Sequence, residues 1–208
     1  LDFDSAELAL NFLENLDPKR CLVKVGLELF ISEGWKILDL ISERGFEIFL
    51  DLKLHDIPNT VANSVKEISN FNVAFTTVHL NGGIEMTEAA SSEKGDIKIL
   101  GVSILTSLSK NDIFEITHTE FNTYFNNLIS IASNTNIDGV VCSPNELDRL
   151  TSFNKLKVVP GIRNDISNDD QKRVMSSKEA YQKGADYIVV GRPITKSENP
   201  RKALELFL

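Results

Sequence analysis

Residues 49–60 read Phe49-Leu50-Asp51-Leu52-Lys53-Leu54-His55-Asp56-Ile57-Pro58-Asn59-Thr60, or FLDLKLHDIPNT. The stretch leaves a β-rich apolar run, Glu47–Leu52, and ends in a turn that Pro58 keeps from continuing as regular structure. Side chains alternate along a strand, so Asp51 and Lys53 point the same way, and Asp56 follows in the turn. A strand whose last residues are charged, followed by a polar turn and then a helical pattern, is one unit of a larger repeat. The same unit recurs along the chain. Its apolar runs are Leu1–Phe3, Leu22–Val25, Glu47–Leu52, Ala74–His79, Ile97–Ile104, Gly139–Cys142, Lys157–Val159 and Tyr187–Val190. Between them lie amphipathic stretches such as 5–16 (SAELALNFLENL) and 34–45 (GWKILDLISERG), with apolar residues every three to four positions.

Strands alternating with helices imply parallel pairing through right-handed crossovers. Eight such units in 208 residues fit a (β/α)8 TIM barrel forming a single domain, residues 1–208. An open doubly wound sheet is the alternative, but it places a glycine-rich loop after its first strand, where this chain has Asp2-Phe3-Asp4. No linker or low-complexity segment divides the sequence. The chain opens Leu1-Asp2-Phe3 without a methionine and inside a strand, which implies that a few residues precede it; no signal peptide is read.

The bulk properties bound the function. A net charge of −8 argues against nucleic acid as the main partner, and no apolar run approaches the roughly 18 residues of a membrane span. The two cysteines, Cys21 and Cys142, sit in apolar runs and match neither a disulfide framework nor a metal spacing. They read as small core residues in a reducing, cytoplasmic compartment.

In such barrels the chemistry lies at the C-terminal ends of the strands. Read in order, those ends offer Asp2, Lys24, Asp51 with Lys53, His79, Thr106, Ser143, Pro160-Gly161-Ile162-Arg163 and Gly191-Arg192. Lys24 is flanked by Val23 and Val25. If the valines face the helices, Lys24 faces the barrel mouth beside Asp51. The outcome is an alternating array of lysines and aspartates. Two carboxylates next to Lys53 favour its ammonium form, a fixed cation able to donate a proton. The bland reading is a buried ion-pair network, but such networks are weak sources of stability. The turns Pro160–Arg163 and Gly191–Pro193 follow the last two strands, where barrels often bind phosphate with backbone amides, and arginine adds a bidentate clamp. Asn81-Gly82-Gly83 lacks the spacing of a nucleotide-binding loop and reads as a turn. His55 and His118 read as surface or loop residues, and His79 as either a packing residue or part of the site lining.

The string 51–60 resembles the signature of the orotidine 5′-phosphate decarboxylase family. The likeness continues through LDF (1–3), VKVGLELF (23–30), LTS (105–107), DGVVCS (138–143), VPGIR (159–163), DDQKR (169–173) and VVGRPITK (189–196). The D-x-K-x-x-D core is shared with metal-dependent sugar-phosphate relatives; the longer string and the order of the motifs are more specific. The resemblance implies decarboxylation of orotidine 5′-monophosphate to UMP and CO2, the last step of UMP synthesis, with no metal and no cofactor. Lys53 would be the proton donor, set among Lys24, Asp51 and an Asp56 lent by the partner in a homodimer with shared active sites. Asp2 and Lys24 would hold the ribose with Thr60, which also crosses from the partner, and Ile57 would join the substrate-binding set. Thr106 would contact the pyrimidine, and Arg163, Gln171, Gly191 and Arg192 the phosphate, under a polar lid at 164–170. Pro193 stands where serine is frequent in the family. Two rivals remain: a metal-dependent sugar-phosphate lyase or aldolase, in whose family an acidic ligand takes the place of Lys24, and a non-catalytic nucleotide-binding barrel.

Overall fold

The computed structural model describes residues 1–164 and 175–208. Among the described residues, seven parallel strands follow one another around a nearly closed barrel: β1 Val23–Val25, β2 Ile48–Leu54, β3 Val73–His79, β4 Lys98–Val102, β5 Gly139–Val141, β6 Leu156–Pro160 and β7 Tyr187–Val189. The helices outside them are α1 Ala6–Leu13, α2 Leu27–Glu33, α3 Lys36–Ser42, α4 Pro58–Ile68, α5 Gly83–Ser92, α6 Lys110–Thr117, α7 Phe121–Asn134, α8 Ser177–Gln182, α9 Arg192–Thr195 and α10 Pro200–Glu205. This is the expected barrel class, with one correction. Leu1–Phe3 belongs to no strand of the sheet. The Leu1 nitrogen donates to the Lys24 carbonyl at 2.6 Å, but the chain turns at Asp4 and Ser5, the N-cap position of α1, before a ladder forms. The segment nonetheless sits where a first strand would, against β1.

The alternation in β1 fixes its facing. Val23 and Val25 are buried with Ala9, Leu13, Leu29 and Ile37 from the surrounding helices, which leaves Lys24 directed into the barrel. A second layer fills the interior. Phe49, Phe75, Leu100 and Val158 pack together, with Tyr187 edge-on to Phe75 at 5.2 Å and the Lys98 ammonium 5.4 Å from the Phe75 ring centre. The barrel is thus plugged by aromatic rings below and left for polar groups above. Outside the strands, α4, α5 and α7 bury Val61, Val65, Met86, Ala90, Phe125 and Leu128 in one continuous core. Cys142 lies in that core, as expected of a small hydrophobe, and burial pushes its thiol pKa up; Cys21 is only partly buried.

One polar and one steric device tie neighbouring strands together. Asp138 receives the Lys94 ammonium on both oxygens at 2.8 Å and also the Ile99 amide at 2.8 Å, which ties the start of β5 to β4. Gly139 lets β5 approach β6 closely, for a Cβ there would stand 2.5 Å from the Leu156 carbonyl oxygen and 2.6 Å from the Leu156 Cβ. Backbone cannot retreat as a flexible side chain can. Gly139→Ala is therefore expected to destabilise the fold by about 1–3 kcal/mol, as overpacking does elsewhere. The check is urea denaturation, with the midpoint lowered and the slope unchanged.

Candidate functional site

The strand ends named by the sequence meet at one mouth. Asp51 lies on β2 with its side chain only 10% exposed, and its Oδ2 is shared by two ammonium groups: Lys53 Nζ at 2.8 Å and Lys24 Nζ at 3.4 Å. Asp2 extends the array, with Oδ1 4.0 Å from Lys24 Nζ. Asp2 also reaches the far side of the mouth, since a Cβ on Gly191 would stand 3.9 Å from its Oδ2. Four of the expected residues, Asp2, Lys24, Asp51 and Lys53, are therefore one connected cluster.

Simple strand alternation places Asp51 and Lys53 together in outline but misses how it is done. The β2–β3 register runs from Leu50 opposite Thr76 to Leu54 opposite Val78, so Asp51, Leu52 and Lys53 all stand opposite the single Thr77. This bulge puts Lys53 in the left-handed region at φ 52°. For a residue with a Cβ that conformation costs about 1–3 kcal/mol and persists only when its surroundings enforce it. The enforcement is Thr77. Its hydroxyl accepts the Lys53 amide at 2.8 Å and donates to Asp51 Oδ1 at 2.9 Å. Sequence reasoning missed Thr77. Its signal was the pair of hydroxyls, Thr76 and Thr77, inside the strand FTTVH next to that of Asp51.

The charges set the protonation of the site. Burial by itself would raise the Asp51 pKa, but Lys24, Lys53 and the hydrogen bonds from Lys53 and Thr77 outweigh it and hold the carboxyl below its ordinary value. His79, at the end of β3, is half-buried, 5.5 Å from the His55 ring centre to centre. Its pKa is lowered by burial first and then by His55 and Lys53, so it is neutral beside the ammonium at neutral pH. This places His79 at the site rim. His55 is exposed yet packs on His79, more than a surface role implies, and His118 sits in a left-handed turn closing α6.

Of the residues expected at the phosphate, Arg163, Gly191 and Arg192 line one cavity. Gly161, at φ 77°, turns the chain after β6, and the Arg163 amide then donates to the Met175 carbonyl at 3.0 Å. Asn164 Oδ1 accepts the Ser177 amide at 3.0 Å and its hydroxyl at 3.2 Å. A cavity of about 510 Å³ is lined by Asp2, Lys24, Gly161, Arg163, Gly191 and Arg192 and continues down the seam between β7 and β1. Asp51 lies behind this lining, in contact with Lys24. Thr106 is exposed at the mouth, in the turn after β4. Gln171 and most of the expected lid at 164–170 lie outside the described residues.

Asp56, Ile57 and Thr60 do not join the cluster of their own chain. The Asp56 carboxylate accepts the neighbouring Ile57 amide at 2.7 Å, and all three residues are exposed, Ile57 at 66%. Among the described residues, no group of three or more His, Cys, Asp or Glu is placed to hold a metal ion, and no helix is long and apolar enough to cross a membrane.

The Asp51 arrangement has a thermodynamic signature. Its folded pKa is depressed, so its contribution to stability is fully present above about pH 4, where an unfolded aspartate is ionised, and is lost as pH falls through the lower folded value. Asp51→Asn lacks this titration. The stability gap between wild type and Asp51→Asn, measured by urea unfolding from pH 6 downward, should be constant to about pH 4 and shrink below it. A gap independent of pH would mean that the two lysines do not hold the carboxylate.

Comparison with known proteins agrees with this geometry. The family model for the orotidine 5′-phosphate decarboxylase / HUMPS family matches residues 1–207. The orotidine 5′-phosphate decarboxylase of Saccharophagus degradans is 42% identical over 99% of this chain and 90% of its own length. That of Wigglesworthia glossinidia brevipalpis is 38% identical over 100% and 94%. The crystal structure of orotidine 5′-phosphate decarboxylase from Lactobacillus acidophilus superposes with a TM-score of 0.89 at 36% identity, covering 100% of this chain and 94% of that one.

Proposed function

This chain belongs to the orotidine 5′-phosphate decarboxylase / HUMPS family, and we propose that Lys53 is the acid with which it converts orotidine 5′-monophosphate to UMP and CO2. The observation that carries this reading is the Asp51 carboxylate held between Lys53 and Lys24. Breaking the bond from C6 to the carboxylate carbon leaves the electron pair on C6, in the ring plane, where the ring π system cannot take it up. A fixed cation must stabilise that pair as it forms. The Lys53 ammonium, anchored at 2.8 Å by Asp51, is such a cation, and passing one proton to C6 completes UMP and leaves a neutral amine for solvent to reprotonate. Asp51 orients the lysine and lies where the departing carboxylate would be.

The remaining roles belong to the same proposal: Asp2 and Lys24 face the ribose, Thr106 the pyrimidine edge, and Arg163, Gly191 and Arg192 the 5′-phosphate, with Gln171 assigned to the phosphate on the family resemblance alone. Phosphate binding far from C6 supplies energy that is used at the reacting carbon. The reaction draws on no metal and no organic cofactor, for Lys24 and Lys53 occupy the carboxylate that a divalent cation would need. The site sits in one catalytic domain, residues 1–208, of a cytoplasmic enzyme with no nucleic-acid partner. Loss of substrate absorbance on adding orotidine 5′-monophosphate tests the reading. Turnover should persist in excess EDTA, and Lys53→Ala should lower kcat by about 10³-fold, roughly 4 kcal/mol. Activity abolished by EDTA and restored by Mg²⁺ would favour the sugar-phosphate lyase chemistry of the wider family. A Lys53→Ala enzyme with a tenth of normal activity would move the proton donor elsewhere.

Asp56, Ile57 and Thr60 support a homodimer with shared active sites, because they stand exposed at the mouth and leave their own cluster without them. Asp56 would complete the partner's array. Lys53→Ala and Asp56→Ala should each be nearly inactive alone. Mixed, unfolded and refolded together, they should recover about a quarter of wild-type activity, since half the dimers are mixed and each carries one intact site of two. Verified mixed dimers without activity would place Asp56 in its own subunit's chemistry.

A further inference from the structure

We propose that Thr77 is a positioning residue of the reaction, whose hydroxyl closes a circuit that begins and ends on Lys53. The Lys53 amide donates to Thr77 Oγ1 at 2.8 Å, Thr77 donates to Asp51 Oδ1 at 2.9 Å, and the other oxygen of Asp51 accepts the Lys53 ammonium at 2.8 Å. A threonine hydroxyl has one proton. Because that proton goes to a carboxylate, which can only accept, the hydroxyl must receive the amide, and the direction of every bond in the circuit is fixed. Thr77 is fully buried, so no substrate touches it and bulk water has no route to replace it.

The circuit acts on two degrees of freedom at once. It holds the Lys53 backbone in the left-handed conformation that the bulge requires, and it fixes the plane of the Asp51 carboxylate, hence where the ammonium sits. Without the hydroxyl, Asp51 could rotate about its side chain and Lys53 could relax toward extended backbone, carrying the ammonium away from the reacting carbon. A displacement of about 1 Å is enough to cost about 100-fold in rate. The effect belongs mainly in kcat rather than KM, because the phosphate contacts lie elsewhere at the mouth and Lys24, on the ribose, keeps Asp2 beside it.

The proposal rests on Lys53 as proton donor, and the two are separable. Thr77→Val keeps the shape and removes the hydroxyl, whereas Thr77→Ser keeps the hydroxyl and removes the methyl group. Thr77→Val should lower kcat by about 30- to 100-fold with KM within about threefold of wild type, and Thr77→Ser should stay within about threefold in both. Asp51 also loses a hydrogen bond that favours its ionised form, so the acid limb of the pH–kcat profile should move to higher pH in Thr77→Val and not in Thr77→Ser. If valine is not accommodated, Thr77→Ala, which only removes atoms, is measured in its place against the same expectations. Normal kcat in the variant lacking the hydroxyl, a serine variant as damaged as valine, or a kcat loss with an unmoved acid limb would each overturn the proposal. Should Thr77→Val be normal while Lys53→Ala is inactive, only the positioning role falls. Should Lys53→Ala be active, the proton-donor assignment falls whatever Thr77 does.

Discussion

A carboxylate that is nearly dry and still ionised is the constraint around which this barrel mouth is built. Burial opposes the charge on Asp51, and left alone the group would take up a proton. Two ammonium groups and a buried hydroxyl reverse that balance. The dependence is mutual, because Lys24 and Lys53 repel each other and converge only with Asp51 between them. Removing any one member leaves an uncompensated charge rather than a neutral gap, and that is the expensive way to lose a buried ion pair. Apolar residues of similar volume would pack as well or better. A cluster of this kind is thus poor stabilisation and good preorganisation, which is what a reaction developing charge on carbon needs.

The fold meets that constraint at the level of backbone. Regular β geometry would present Asp51 and Lys53 to the mouth at a spacing of two residues. The bulge instead stacks three residues of β2 opposite Thr77 and forces Lys53 into a conformation that strands avoid. Strain of this sort persists where the surroundings over-determine it. Here the enforcement is the fully buried Thr77, while Phe49, Phe75 and Tyr187 pack together in the barrel interior. The aromatic plug and the polar mouth are therefore one arrangement: the lower layer makes the barrel rigid, and the upper layer uses the rigidity.

How much of this was legible in the sequence follows from what a period can encode. Alternation of valines about Lys24 and the repeat of strand and helix encode facing, so the barrel and the convergence of Asp2, Lys24, Asp51 and Lys53 could be read. Register between neighbouring strands is not written in either strand alone, so neither the bulge nor the role of Thr77 was visible. The strand expected at Leu1–Phe3 failed for a related reason: an apolar tripeptide shows propensity, but pairing depends on neighbours on both sides. Asp56, Ile57 and Thr60 show a different limit. Their spacing after Lys53 marks them for the site, yet in the single chain they stand exposed outside the cluster, which the proposed homodimer would account for. Gln171, expected at the phosphate, lies outside the described residues.

The global charge and the local charge of this molecule point in opposite directions, and the difference bears on what it can bind. The chain as a whole carries −8, which repels extended polyanions over most of its surface. At the mouth, among the described residues, Lys24, Lys53, Arg163 and Arg192 gather around Asp2 and Asp51. A cation-rich concavity within an anionic surface draws in a ligand small enough to enter it. A long anion would meet the repelling surround first. The two carboxylates that remain inside are not spare charge either. Asp51 is spent on the lysines, and Asp2 stands between Lys24 and Gly191, linking the end of the array to the phosphate side. A small anion with its phosphate at one end and its reacting carbon at the other can span that link, and its length is then set by the distance across the barrel rather than by any single contact.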